Sequence, residues 1–271
     1  MTLLEGILLW LGVFSYTLAV GLLLWALVFG REKGHTLSRH LVTVGFVLQT
    51  AAIAVRWYHT GHAPVMGTYE HTLLGSWFIM LLQFMVYRWY PPMRIAAMVV
   101  LPFVLFMLGQ GIMSKPEMVP LSPPYQSNWL WVHVIFAWIA YGSYTVAAGM
   151  GVVYILRDGK KEWRFLDKFP PQDIIDDLVL KTVVFGFIAH VLMTGAGAIW
   201  AHGLWGRYWG WDPVETWSLL SWLTYGVFLH LRTTMGWKGK RAAWLAIICY
   251  VSIFITFGGV GFISGLHTPL L

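Results

Sequence analysis

Eight stretches of predominantly apolar residues run through the chain, at about 4–29, 38–56, 69–88, 95–113, 129–156, 181–201, 214–232 and 242–264. A membrane-spanning helix needs roughly 20 such residues, so each stretch reads as one span. The predicted fold is all-α, a polytopic transmembrane bundle of about eight spans forming a single integral membrane domain over 1–271. Composition agrees: 11% of residues are charged, against about 25% in soluble domains. The first run, Leu3 to Phe29, follows no basic cluster and is too long for the apolar region of a signal peptide, so it reads as a span. The fifth run is long and is expected to project beyond the lipid. The longest polar stretch, Arg157 to Lys181, contains Pro170 and Pro171 and separates the first five spans from the last three.

Charge gives these spans a direction. One set of alternating loops holds 15 of the 18 Lys and Arg residues and the other holds only Arg56, Lys115 and Arg207. Cytoplasmic loops carry the excess of basic residues, which predicts that both termini lie on the outer side. The same concentration accounts for the net charge of +6, and no nucleic-acid partner is expected. The only cysteine, Cys249, lies inside an apolar run. That excludes an intrachain disulfide, a paired-thiol motif and a covalent haem-attachment motif.

The outward loops include 201–213, which holds Trp205-Gly206-Arg207-Tyr208-Trp209-Gly210-Trp211-Asp212-Pro213. Tryptophan and tyrosine favour membrane interfaces, but four aromatics within seven residues form a local concentration rather than a belt. Stacked aromatic contacts contribute about 0.5–1.5 kcal/mol each beyond area burial, and such a loop offers flat faces to a flat ligand, a porphyrin or a quinone. Asp212, Pro213 and Glu215 stand where a helix start places its N-cap, N1 and N3 residues. His133, near the outer end of the fifth span, and His267, after the eighth, fall on the same predicted side as the loop. Two such imidazoles can hold a haem iron from opposite faces. His230 lies within the seventh span near its inner end. An ionisable group there is a functional hypothesis by default, the alternative being a neutral side chain that reaches the interface beside Arg232. His190 poses the same question in the sixth span. His59, His62 and His71 cluster near the outside of the third span and could form an entry surface or a metal site, though their spacing matches no strong zinc pattern, and His35 and His40 read as ordinary basic-loop residues.

The segment from Trp205 to Asp212 resembles the WGxxWxWD signature of haem-handling membrane proteins, and its continuation to Trp217 is similar to the CcsA (ResC-type) branch. Gly61-His62-Ala63-Pro64, Thr68-Tyr69-Glu70 and Ser264-Gly265-Leu266-His267 add to the resemblance, which extends from about residue 55 to the C-terminus. Val214 replaces a common Lys, and His202 stands where Asn is frequent. The resemblance implies a haem transport and presentation module of system II cytochrome c biogenesis, in a bacterial cytoplasmic or thylakoid-type membrane. It implies haem b as the transported ligand, ligated externally by His133 and His267 beside Trp205, Trp209, Trp211 and Asp212, and within the membrane by His230. It further implies a CcsB (ResB-type) membrane partner within the lipid, apocytochrome c as client, and thioether synthase activity only in that partner's company. Two other readings remain: delivery of haem to a chaperone, as in the CcmC branch, and a membrane electron-transfer subunit using haem or quinone.

Overall fold

The computed structural model describes residues 1–29, 32–89, 97–114, 116–118, 120–159 and 170–256. Among these residues the regular structure is helical throughout: α1 (Leu3–Phe29), α2 (Glu32–Thr60), α3 (Gly67–Trp89), α4 (Ala97–Met113), α5 (Asn128–Gly159), α6 (Gln172–Trp205), α7 (Pro213–Thr233) and α8 (Lys240–Phe254), with a short 3-10 turn at Pro123–Gln126. The eight helices follow the eight apolar runs. Four of them, α1, α2, α5 and α6, are each long and apolar enough to cross a membrane alone, and the chain is an integral membrane protein. The largest departure from the apolar pattern is α6, which starts at Gln172 rather than near 181. Its first turns are amphipathic. Ile175, Leu178 and Val179 are buried, while Asp177 and Lys181 pair at 2.6 Å on the exposed face. Pro171 caps the start, with the Ile175 amide donating to its carbonyl at 3.1 Å. At about 1.5 Å per residue, the 34 residues of α6 span roughly 50 Å and exceed a hydrocarbon core of about 30 Å.

The helices form two compact units, the first ending at Ser122 and the second containing α5 to α8. In the first, α1 and α2 pack antiparallel, with Ser15 donating to the Leu41 carbonyl and Ser38 to the Ala19 carbonyl, both at 2.8 Å. Gly45 leaves room for the Tyr16 ring, which a Cβ there would meet at 2.7 Å. Tyr16 in turn donates to Gln49 at 2.9 Å, and Gln49 donates onward to the Leu73 carbonyl and the Ser76 hydroxyl of α3.

One end of this unit is closed by a buried charge cluster. Arg56 donates to Glu70 at 2.7 Å and lies 3.7 Å from Glu5. It also donates to the Pro116 and Glu117 carbonyls. Glu5 accepts from the Tyr69 hydroxyl at 2.8 Å, and Glu70 accepts from the Met66 amide at 2.7 Å. One guanidinium thereby ties α1, α2, α3 and the chain after α4 together. The Thr68-Tyr69-Glu70 motif of the sequence is thus a structural joint.

In the second unit α5 and α6 pack antiparallel along their length. Gly186 lies against Tyr144, and Gly151 lies where a Cβ would be 2.8 Å from the Ala243 carbonyl of α8. Tyr144 stacks on Tyr225 of α7 with ring centroids 3.5 Å apart. At the other end Arg232 pairs with Asp176 and donates to the Trp237 carbonyl, while Asp176 accepts from the Gly239 amide.

Removing one partner of a buried ion pair costs about 3–5 kcal/mol. Arg56→Met is therefore expected to lower the thermal stability of the detergent-purified protein strongly. Glu117→Ala is expected to be nearly neutral, because Arg56 uses the backbone carbonyl of residue 117. Equal melting temperatures for the two variants would contradict the joint.

Candidate functional site

The tryptophan-rich segment is irregular only from Gly206 to Asp212, because α6 continues through Trp205. Gly206 ends that helix in the left-handed conformation, at φ 68°, and its amide donates to the His202 carbonyl at 2.9 Å. At the other end Asp212 caps α7 in a full capping box with Glu215, as the sequence pattern predicts. Asp212 accepts from the Val214 amide at 2.8 Å. Glu215 accepts from the Asp212 amide at 3.2 Å and also from the Gly210 amide at 2.7 Å. One carboxylate therefore holds the loop as well as the helix start. Arg207 folds across Gly210, where a Cβ would approach its guanidinium to 2.9 Å.

Within this tethered loop the aromatic rings are ordered against one another. Trp209 and Trp211 meet edge to face at 5.8 Å, and Tyr208 stacks on His202 at 4.3 Å. Trp211 has φ 55°, the one positive value at a non-glycine residue among those described. A bulky side chain in that region costs about 1–3 kcal/mol. The residue is nonetheless 70% exposed, so burial does not offset the strain. The Trp209 indole nitrogen is buried without a hydrogen-bond partner among the described residues.

A second line of rings joins α5 to the end of α6. His133, in the second turn of α5, stacks against Trp200 at 6.5 Å, and Trp200 meets Trp205 edge-on at 5.8 Å. His133 Nδ1 lies 2.8 Å from the Met193 carbonyl oxygen. A carbonyl only accepts, so Nδ1 carries the proton, and in the neutral ring Nε2 keeps its lone pair. Metal-binding histidines are oriented by such a bond from the other ring nitrogen. The approach depends on Gly197, where a Cβ would stand 2.6 Å from His133 Nδ1. Met193, Gly197 and Trp200 follow helical spacing on one face of α6. That spacing is visible in the sequence, but its relation to His133 is not.

His230 lies at the opposite end of α7 from Asp212. It lines a groove of about 300 Å³ with Phe187, Trp222, Leu223, Gly226 and Val227. Phe187 and Trp222 stack at 5.1 Å along its wall. The His230 ring is exposed and makes no hydrogen bond or ion pair among the described residues. His190 is instead fully buried, with Nε2 3.1 Å from the Ser218 hydroxyl and Nδ1 3.4 Å from the Tyr144 hydroxyl. The structure thus joins His133, Trp200 and Trp205, pairs Trp209 with Trp211, and gives His230 a groove of its own. His267 lies outside the described residues. No group of three or more potential metal ligands occurs among the described residues, and the cluster near His59 and His62 is no exception.

Residues 65–267 match the family model described as cytochrome C assembly protein. The cytochrome c biogenesis protein CcsA of Synechococcus sp. (strain CC9605) is 30% identical over 281 residues, covering 93% of this chain and 91% of that protein. CcsA of Guillardia theta is 30% identical over 243 residues, covering 81% and 80%. Among solved structures, a chain titled cytochrome c heme lyase CcmF superposes with a TM-score of 0.69 at 21% identity. That match covers 96% of this chain and 48% of the CcmF chain, and it establishes likeness of fold.

The glycine contact makes a direct prediction. Gly197→Ala must displace the His133 ring, and overpacking of this kind costs about 1–3 kcal/mol. At Gly195, two residues away, a Cβ would meet nothing within 4 Å, so Gly195→Ala is expected to be neutral or slightly stabilising. Thermal unfolding of both variants checks the contrast, and equal shifts would contradict the close approach at Gly197.

Proposed function

We propose, because the chain belongs to the cytochrome c assembly protein family and to its CcsA-type branch, that it carries haem b to the outer face of the membrane and presents it to apocytochrome c. The observation that carries this reading is the His133 bond to the Met193 carbonyl, which directs the proton to Nδ1 and the lone pair to Nε2. Metal-ligating imidazoles almost always donate their other ring N–H in that way. In this reading His133 and His267 hold the iron from opposite faces while Trp205, Trp209 and Trp211 support the porphyrin. Asp212 acts by fixing where the loop meets α7. The strained, exposed Trp211 supports a platform role, since such backbone strain clusters at ligand clamps.

His230 serves as the intramembrane ligand on the way to the outer site. Its exposed imidazole beside an aromatic groove suits a flat apolar ligand whose second ligand comes from another chain, a CcsB (ResB-type) partner. An ionisable side chain on a membrane span is costly without such a partner. At the outer site a cysteine thiol of the client adds across a haem vinyl. The sulfur–carbon bond forms at the inner vinyl carbon, the thiol proton ends on the outer one, and no net oxidation occurs. Holding thiol and vinyl in register supplies several kcal/mol of the barrier reduction. The client's histidine then replaces one axial imidazole.

The test is the absorption spectrum and haem content of the purified chain, with and without the ResB-type partner. Low-spin haem is expected, weakened in His133→Ala and His267→Ala and restored by added imidazole. His230→Ala is expected to lower total haem without changing the ligation of what remains. Haem binding indifferent to all three substitutions would overturn the reading.

A further inference from the structure

We infer that the first unit carries a binding site for the phosphate headgroup of an anionic phospholipid, in a cavity at the end bearing Lys33, Arg39 and Arg88. The cavity has a volume of about 140 Å³, and all four helices of the unit contribute to its wall. Its polar side is made by His35, Thr36, Arg39, Gln83 and Tyr87, with Ser38, whose hydroxyl donates to the Ala19 carbonyl, and its apolar side by Leu23, Val42 and Phe84.

Charge, size and shape each narrow the occupant. No aspartate or glutamate is among the described lining residues. Arg39 donates to the Tyr87 hydroxyl at a long 3.4 Å, a neutral acceptor, and pairs with no carboxylate among the described residues. Of the four acidic residues between Met1 and Ser122, Glu5, Glu70 and Glu117 belong to the Arg56 end or to the chain after α4, and Glu32, which begins α2 beside Lys33, is not among the described lining residues. The cavity therefore offers one guanidinium with no carboxylate partner among the described residues, beside the Tyr87 hydroxyl, which accepts from Arg39 and keeps its own proton to donate, and the two together are donors for a phosphate oxygen.

At about 140 Å³ the space is smaller than the 300–1,000 Å³ of typical small-molecule pockets, and a porphyrin does not fit. A headgroup phosphate does, and the apolar wall gives its glycerol and first acyl carbons a surface to leave along. Basic pockets between membrane helices are recurrent sites for such headgroups. Inorganic phosphate shares the recognising chemistry but has nothing to place against Leu23, Val42 and Phe84.

The experiment is native mass spectrometry of the full chain in neutral detergent, titrated separately with phosphatidylglycerol, phosphatidylcholine and inorganic phosphate. One phosphatidylglycerol is expected to be retained, and Arg39→Gln to weaken it about fivefold. Arg39→Lys is expected to keep most of the binding. Arg88→Gln, which removes an exposed charge outside the cavity, is expected to leave it unchanged. Equal retention by the unaltered chain and Arg39→Gln would overturn the site, as would phosphatidylcholine binding as well as phosphatidylglycerol. Inorganic phosphate binding that depends on Arg39 and resists displacement by phosphatidylglycerol would overturn the lipid as its occupant.

Discussion

The second unit depends on how closely α5 and α6 approach, and glycine sets that distance. At Gly186 the α6 backbone lies against Tyr144, and at Gly197 it lies against His133. A methyl group at either position would fall inside the space the ring occupies. Without the approach at 197, His133 could not reach the Met193 carbonyl, and its tautomer and ring plane would be set by whatever solvent or lipid it met. The same approach brings Trp200 beside His133 and, through Trp200, connects α5 to the start of the aromatic loop. Helix packing in a membrane gains little from apolar burial, since lipid is as apolar as the side chains. Small residues that permit close contact and internal hydrogen bonds therefore carry more of the organisation than they would in a soluble protein.

Tension in the loop complements that rigidity. Gly206 and the Asp212–Glu215 box fix its two ends, and the Gly210 amide adds a third tether to Glu215. Between them Trp211 is held in a backbone conformation that disfavours it, with most of the residue in the open. A loop that served only as an interfacial belt would gain nothing from this arrangement. In the proposed function the loop gains a preorganised face for a flat ligand, and the strain is the cost of presenting it.

Much of this was legible in the sequence, and the reasons differ by feature. The eight helices follow from apolar runs because lipid enforces a simple length rule. The Asp212 cap follows from Asp212-Pro213 with Glu215 because capping is local chemistry. The early start of α6 was not legible by counting apolar residues. Its first turns are amphipathic and carry Asp173, Asp176 and Asp177, so only helical periodicity reveals them. The bond between His133 and Met193 joins residues 60 apart, and no local pattern encodes it. His190 could be read either as a functional group or as a satisfied core residue. Its contacts with Ser218 and Tyr144 show which partners it has. The groove beside His230 depends on Gly226 and on Phe187 from another helix, again a relation between distant segments.

The proposed function turns on His133, oriented through Met193, supplying iron with one of its two axial nitrogens. Near-infrared magnetic circular dichroism of the ferric haem complex tests this most directly, because the charge-transfer band there reports the pair of axial ligands. A bis-histidine band is expected for the unaltered chain with its partner, shifted to a histidine–methionine position in His133→Met. A band that stays in the bis-histidine position after that substitution would contradict the assignment.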